Sequence, residues 1–364
     1  MSKDRRVGAG ILRETAVAGA TILLAFAVGG VFVLVSGRDP LLALFALVKG
    51  AFGSWYNLGE TLAYATPLIL TGLSIALAFR CNLFNIGAEG QAIVAMVAAA
   101  WIGTWRGVPP GLHAAFALLG GMAAGAIWGW IPGLLKAKMG AHEVINTIML
   151  NYLGLYLSQY LVNKPLIAPP GTAPMTRTIA PGAMLWQFMP PSRANLGLAV
   201  ALMACAAVYL LLWRTTRGYE IRAVGFNAEA ARYGGVRVAG TVVWTMAVSG
   251  ALAGLAGAVY IQGVQHKFFE LFTFPGYGFD GIAVALIGRN HPVGVIFGAI
   301  LFGALSNGAV QMQSAAGIPK EISGVVQGTI IFFVAVEQAF RWLILPRLRR
   351  SGAAKEAGKC DAAA

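Results

Sequence analysis

Ile86-Gly87-Ala88-Glu89-Gly90-Gln91-Ala92-Ile93-Val94-Ala95 sets an acid between two glycines at the head of an apolar run. Tyr277-Gly278-Phe279-Asp280-Gly281-Ile282-Ala283-Val284-Ala285 repeats that order 191 positions later. A bilayer crossing takes about 20 apolar residues. Both runs fall short of that and are preceded by glycine and polar residues, the pattern of broken or half helices.

The surrounding chain supplies the rest of the pattern. Apolar runs with few or no charges lie at Thr15–Val35, Thr61–Phe79, Gln91–Trp105, Gly111–Leu135, Val144–Val162, Asn195–Trp213, Gly240–Gln262, Gly276–Gly288, Pro292–Gln311 and Ile322–Leu345, ten in all. The two repeated stretches open the third and the eighth, which run in opposite directions if successive spans alternate, as in an inverted 5+5 repeat. The sequence therefore predicts an all-α polytopic membrane protein of about ten transmembrane helices in a 5+5 inverted repeat with broken or half helices. Composition agrees: charged residues are 11% of the 364, against about 25% in soluble domains. The apolar share is 58%, with 47 glycines besides, and mean hydropathy is +0.71. So few charges cannot cover a soluble globule, and so many apolar side chains exclude disorder.

A net charge of +13 suggests nucleic acid at first sight, but the basic residues sit in short breaks between apolar runs, where a membrane surface explains them. The first run follows Lys3, Arg5, Arg6 and Arg13; it is too long for a signal peptide and lacks an A-x-A exit, so it reads as an uncleaved span. Of the 27 Lys and Arg, 19 fall on the side of both termini and 8 on the other. The positive-inside rule then puts both termini in the cytoplasm. The reading divides the chain into a cytoplasmic segment 1–14, one membrane domain 15–345 and a basic cytoplasmic tail 346–364. The membrane domain has halves 15–162 and 195–345, joined by an external loop 163–194 rich in Pro and Thr. An internal loop 214–239 holds five arginines and the helix-like stretch Asn227–Tyr233, a place for a cytoplasmic partner to dock.

Glu89 and Asp280 read as the only carboxylates deep in apolar surroundings. Each costs on the order of 3 kcal/mol there, so it faces a cavity or a partner. Two readings compete: the acids flank a central pathway for a polar solute, or each caps its own helix N-terminus. Asn85, Gln91, Asn146, Asn151, Gln159 and Asn307 bring amides to membrane depth, where they serve a solute or tie helices together. Phe84, Tyr152, Tyr277 and Phe279 are able to stack on a ring or to pack against neighbours. Gly121, Gly125 and Gly129, with Gly250, Gly254, Gly294 and Gly298, are spaced for close helix approach, and Pro67 for a kink.

No catalytic or metal site emerges. Cys81, Cys205 and Cys360 form no CxxC pair, and His113, His142, His266 and His291 are scattered. No GxxxxGK[ST] is present, so the chain has no ATPase site of its own and calls for no cofactor.

Three stretches carry a resemblance. Phe84-Asn85-Ile86-Gly87-Ala88-Glu89-Gly90-Gln91, His142-Glu143-Val144-Ile145-Asn146-Thr147-Ile148-Met149-Leu150-Asn151-Tyr152 and Gly225-Phe226-Asn227-Ala228-Glu229-Ala230-Ala231-Arg232-Tyr233-Gly234-Gly235-Val236 are similar to permease subunits of ABC importers for nucleosides and simple sugars. These form a branch of the ribose and branched-chain amino-acid permease family. The likeness runs from about Thr61 to Gly308, and the first two motifs are those of the nucleoside type. It implies inward transport of nucleosides across the plasma (cytoplasmic) membrane of a prokaryote, with ATP and Mg on a cytoplasmic ABC ATPase. It implies further partners: a second homologous permease and an extracytoplasmic substrate-binding lipoprotein, besides the lipid bilayer, and no nucleic acid. Gly218 to Val236 would be the coupling region, with Gly225, Asn227, Ala230, Ala231 and Gly234 matching the family pattern. The solute path would use Asn85, Glu89, Gln91, Asn146, Asn151, Asp280 and Asn307. Two alternatives stand beside it: a ribose-like sugar permease of the same type, and an ion-coupled secondary transporter acting alone through titrating carboxylates.

Overall fold

The computed structural model describes residues 26–35, 37–171, 173–317, 321–322, 324–329 and 332. The segment 1–14, most of the run Thr15–Val35, most of Ile322–Leu345 and the tail 346–364 lie outside the described residues.

Among the described residues the chain is helical, without a strand. The helices are α1 (Phe26–Val35), α2 (Pro40–Phe52), α3 (Trp55–Arg80), α4 (Ala88–Gly103), α5 (Leu112–Met139) and α6 (Glu143–Asn163). After the long loop come α7 (Gly197–Arg214), α8 (Thr216–Phe226), α9 (Ala228–Tyr233), α10 (Val238–Tyr260), α11 (Tyr277–Ile287) and α12 (Pro292–Ala316). A π turn, Ile261–Gln265, prolongs α10. Among the described residues five helices are long and apolar enough to cross a membrane: α3, α5, α7, α10 with its π turn, and α12. The heads of the repeated stretches become α4, of 16 residues, and α11, of 11, both short as the half-helix reading expects.

Two helices depart from that reading. In α2, Pro40 occupies the first turn and the Asp39 carboxylate accepts from the Leu41 N–H at 2.8 Å, a start signal for a helix too short to count as a span. In α8 the Thr215 hydroxyl accepts from the Gly218 N–H at 3.1 Å, so the arginine-rich loop is helical well before Asn227. Helix α3 also begins six residues before its apolar run, because Ser54 caps the Asn57 N–H.

Contacts divide the chain into two units, Met1–Ala43 with Ala316–Ala364, and Leu44–Ala315. In the first, a Cβ at Gly29 would press on Val326. In the second, α3 and α10 are the central pair. The Ser74 hydroxyl donates to the Ser249 carbonyl at 2.6 Å and Ser249 returns the bond to Ser74 at 2.8 Å. Lipid gives apolar helices no reason to separate from it, so close packing of small residues holds such helices together. A Cβ at Gly125 would lie 2.6 Å from the Cα of Gly254, and one at Gly129 would lie 2.9 Å from the Cα of Gly250, which seals α5 on α10. On the other side a Cβ at Gly281 would lie 2.9 Å from the Thr71 Cβ, which sets α11 against α3.

The loop 163–194 has no periodicity in sequence, yet its described residues are bonded throughout. Thr176 N–H donates to Phe268 O at 2.8 Å, Ile179 to His266 at 2.9 Å, Leu185 to Gln262 at 3.0 Å and Ala180 to Gly103 at 2.7 Å. All of these partners are remote in sequence, which is why a local reading sees only Pro and Thr.

Candidate functional site: where the half helices meet

Glu89 lies in the first turn of α4 and is 1% exposed. Its carboxylate does not cap its own helix. Oε1 accepts from the Gly276 N–H at 2.7 Å and Oε2 from the Gly278 N–H at 2.5 Å, at the head of α11. Gly276, the N-cap, has φ 94° and no side chain with which to cap its helix, so the acid at the head of α4 closes the head of α11. At Gly278 close approach requires glycine: a Cβ there would lie 2.6 Å from the Cα of Glu89. The arrangement is not reciprocal. Asp280 is only half-buried, and no hydrogen bond or ion pair reaches its carboxylate among the described residues.

Four of the seven path candidates gather at this junction. Asn85 and Gln91, each 1% exposed, exchange amide bonds of 3.0 and 3.1 Å, and Asn85 donates also to the Ser249 hydroxyl at 2.8 Å. Asn151 accepts from the Gly90 N–H at 2.8 Å and donates to Ile86 O at 3.0 Å, clamping α6 to the head of α4. With Glu89, these side chains spend their bonding capacity inside the fold. Asp280 and Asn146 keep bonding capacity, since the buried Nδ2 of Asn146 has no partner among the described residues. Asn307 belongs elsewhere: it donates to Gly50 O, Asn57 O and Thr61 Oγ1 at 3.1, 2.8 and 3.0 Å and fastens α12 to the α2–α3 corner. Gln159 donates to Leu271 O at 2.7 Å.

An aromatic line borders the junction. Tyr152, Phe274 and Phe279 follow one another with ring centroids 5.1 and 5.8 Å apart, and Tyr152 and Phe279 are 45% and 38% exposed. On another side Ala63, Tyr64, Arg193, Tyr260, Val264 and Tyr277 enclose a cavity of about 50 Å³. Arg193 clamps Glu60 there through its backbone N–H and Nε, both at 2.8 Å, and Nη2 at 2.5 Å. Glu60 is 3% exposed, so Glu89 and Asp280 are not the only acids in depth. It stands just before the apolar run Thr61–Phe79, where sequence alone does not show its depth. The bond to Glu60 holds the Arg193 guanidinium even further above its usual range.

The coupling candidates shape a second feature. Gly225 packs on the C-terminal end of α3, where a Cβ would lie 3.2 Å from the Cα of Cys81. The Asn227 side chain caps α9 by accepting from the Ala230 N–H at 3.0 Å, Ala231 is buried, and the Gly234 N–H closes the helix on Ala230 O at 3.0 Å. What these residues present outward is Phe226 and Tyr233, 90% and 92% exposed, which the sequence reading passed over.

A family profile described as the permease component of a branched-chain amino acid transport system matches residues 57–335. The chain belongs to that family. This permease is similar to the guanosine ABC transporter permease protein NupP of Bacillus subtilis, 42% identical over 91% of this chain and 96% of that one. It is similar also to the nucleoside ABC transporter permease protein NupB of Lactococcus lactis, at 38% over 93% and 96%. The glucose ABC transporter permease protein TsgB13 of Haloferax volcanii is 32% identical over 88% and 87%. The permease is thus a multi-helix membrane transport subunit, and the profile covers all the junction residues, from Ser74 to Asp280.

Proposed function

We propose that this permease moves nucleosides inward as one membrane subunit of an ABC importer, driven by ATP and Mg on a partner ATPase. The observation that carries the proposal is the identity to relatives named for guanosine and nucleosides, 42% and 38% over more than nine-tenths of this chain, above the 32% of the glucose relative. The junction supports it. Tyr152, Phe274 and Phe279 offer faces on which a base stacks, and Asp280 and Asn146 have hydrogen-bonding capacity to spare for a polar solute. Asn85, Glu89, Gln91 and Asn151 keep the path in shape, and Asn307 steadies α12.

In this reading about ten spans place both termini in the cytoplasm of a prokaryote, with loop 163–194 outside beneath a substrate-binding lipoprotein. Segments 1–14 and 346–364 flank a single membrane domain 15–345. A second homologous permease completes the pore, and Phe226 and Tyr233 enter the ATPase. Alternating access follows from movement of one half against the other.

Uptake of labelled guanosine, ribose and glucose by cells carrying the complete transporter tests the reading. Guanosine uptake should vanish when the phosphate-binding lysine of the partner ATPase is replaced and should survive an uncoupler. Preference for a sugar favours the other branch; collapse with the uncoupler at undiminished ATP favours the ion-coupled reading.

A further inference from the structure

We propose that the cavity between α8, α9 and the head of α10 holds the phosphate of an anionic phospholipid. It is an open groove of about 620 Å³, lined by Arg217 of α8, Arg232 of α9 and Arg237 and Trp244 at the start of α10, with Val236 and Val238. No acid is among its lining residues. Arg217 leans on Glu220 at 3.2 Å and Arg232 on Glu229 at 3.9 Å. The second pair is exposed on both sides and the first on its arginine side, so both hold a side chain loosely. Arg237 has no ion pair among the described residues and leaves the first turn of α10 without a side-chain cap. Glu220 and Glu229 offset two of the three guanidinium charges only loosely and leave Arg237 unbalanced, so the space keeps a positive excess that an anion relieves, and a phosphate takes forked guanidinium N–H groups two at a time.

The rest of the lining selects the source of that phosphate. Trp244 is half-buried, and Val236 and Val238 give the cavity an apolar wall that a free phosphate does not use. The cavity lies at the end of α10, one of the five helices among the described residues long and apolar enough to cross a membrane, and if α10 crosses, its end comes to the level of lipid headgroups. Indole rings settle at that level, and basic pockets among membrane helices take anionic headgroups. The proposal is independent of the transported solute. The rival occupant is an acidic side chain of the ATPase, since α9 is next to the cavity.

The test uses the complete purified transporter in nanodiscs of phosphatidylcholine mixed with phosphatidylglycerol, with retained lipid identified by native mass spectrometry. Phosphatidylglycerol should be retained preferentially. Arg237→Gln should lower that preference about fivefold and Arg217→Gln/Arg232→Gln/Arg237→Gln further, at about fivefold per arginine. Arg237→Lys should keep most of it, which separates charge from misfolding. Quenching by brominated phosphatidylglycerol should lose one contribution in Trp244→Phe. An unchanged preference in the triple variant, or none in the unmodified transporter, overturns the proposal. So does displacement by glycerol 3-phosphate at equal concentration, which makes the ligand a soluble phosphate, or a preference seen only after the ATPase is removed.

Discussion

Glu89 shows what one side chain does for two helices. Glu89→Gln keeps one acceptor and leaves the Gly276 or Gly278 N–H unpaired, at a cost of about 1–3 kcal/mol, and Glu89→Ala orphans both. The thermal midpoint of the detergent-purified permease should fall in that order, and an unshifted Glu89→Ala midpoint removes the cross-cap. Glu60 and Arg193 should couple by about 1 kcal/mol in a double-mutant cycle, since the arginine is half-exposed. His291, outside the spans, has a pKa lowered by burial and by the Arg80 charge. Its cost therefore appears only as pH falls below the ordinary 6.5 toward the lowered folded value, where the unfolded chain takes up the proton first. Stability should decline through that window, and His291→Asn should flatten the decline. The Gly-acid-Gly order around Glu89 was legible in the sequence. That its carboxylate caps a helix 187 residues away was not, because the choice of N–H is made by tertiary pairing.

Elements were legible wherever an apolar run was long or began with glycine. The spacing of Gly121, Gly125, Gly129, Gly250 and Gly254 announced a close helix pair, and the structure shows which two helices meet. Gly125→Leu should overpack that seam by about 1–3 kcal/mol or more and lower the yield of folded protein. Helices α2 and α8 were missed because each is announced by its cap rather than by length. For the same reason Asn227→Ala should cost about 1 kcal/mol of α9. Phe226→Ala with Tyr233→Ala should abolish recovery of the ATPase with no change in thermal midpoint, since both rings are almost fully exposed. ATPase recovery at the unmodified level would sink the docking assignment.

At the scale of the whole molecule, single cysteines placed at Arg193 and at Arg232 in a cysteine-free background should react with a membrane-impermeant label from opposite sides. Labelling of both from one side would refute the proposed topology. The sequence predicted an inverted repeat from two acids, but the two acids do different work: Glu89 is wholly engaged and Asp280 is open. That division depends on backbone geometry at Gly276, which has no counterpart before α4, where Gly87 lies in the ordinary helical region. The stitches between halves, Glu89 to Gly276 and Gly278 and Ser74 to Ser249, also have a mechanical meaning. In the proposed alternating access they would form a fulcrum. If the halves tilt as rigid arms, spin labels flanking Glu89 should hold their separation through the ATP cycle, and labels at the far ends of α3 and α10 should swing most, in proportion to their distance from it.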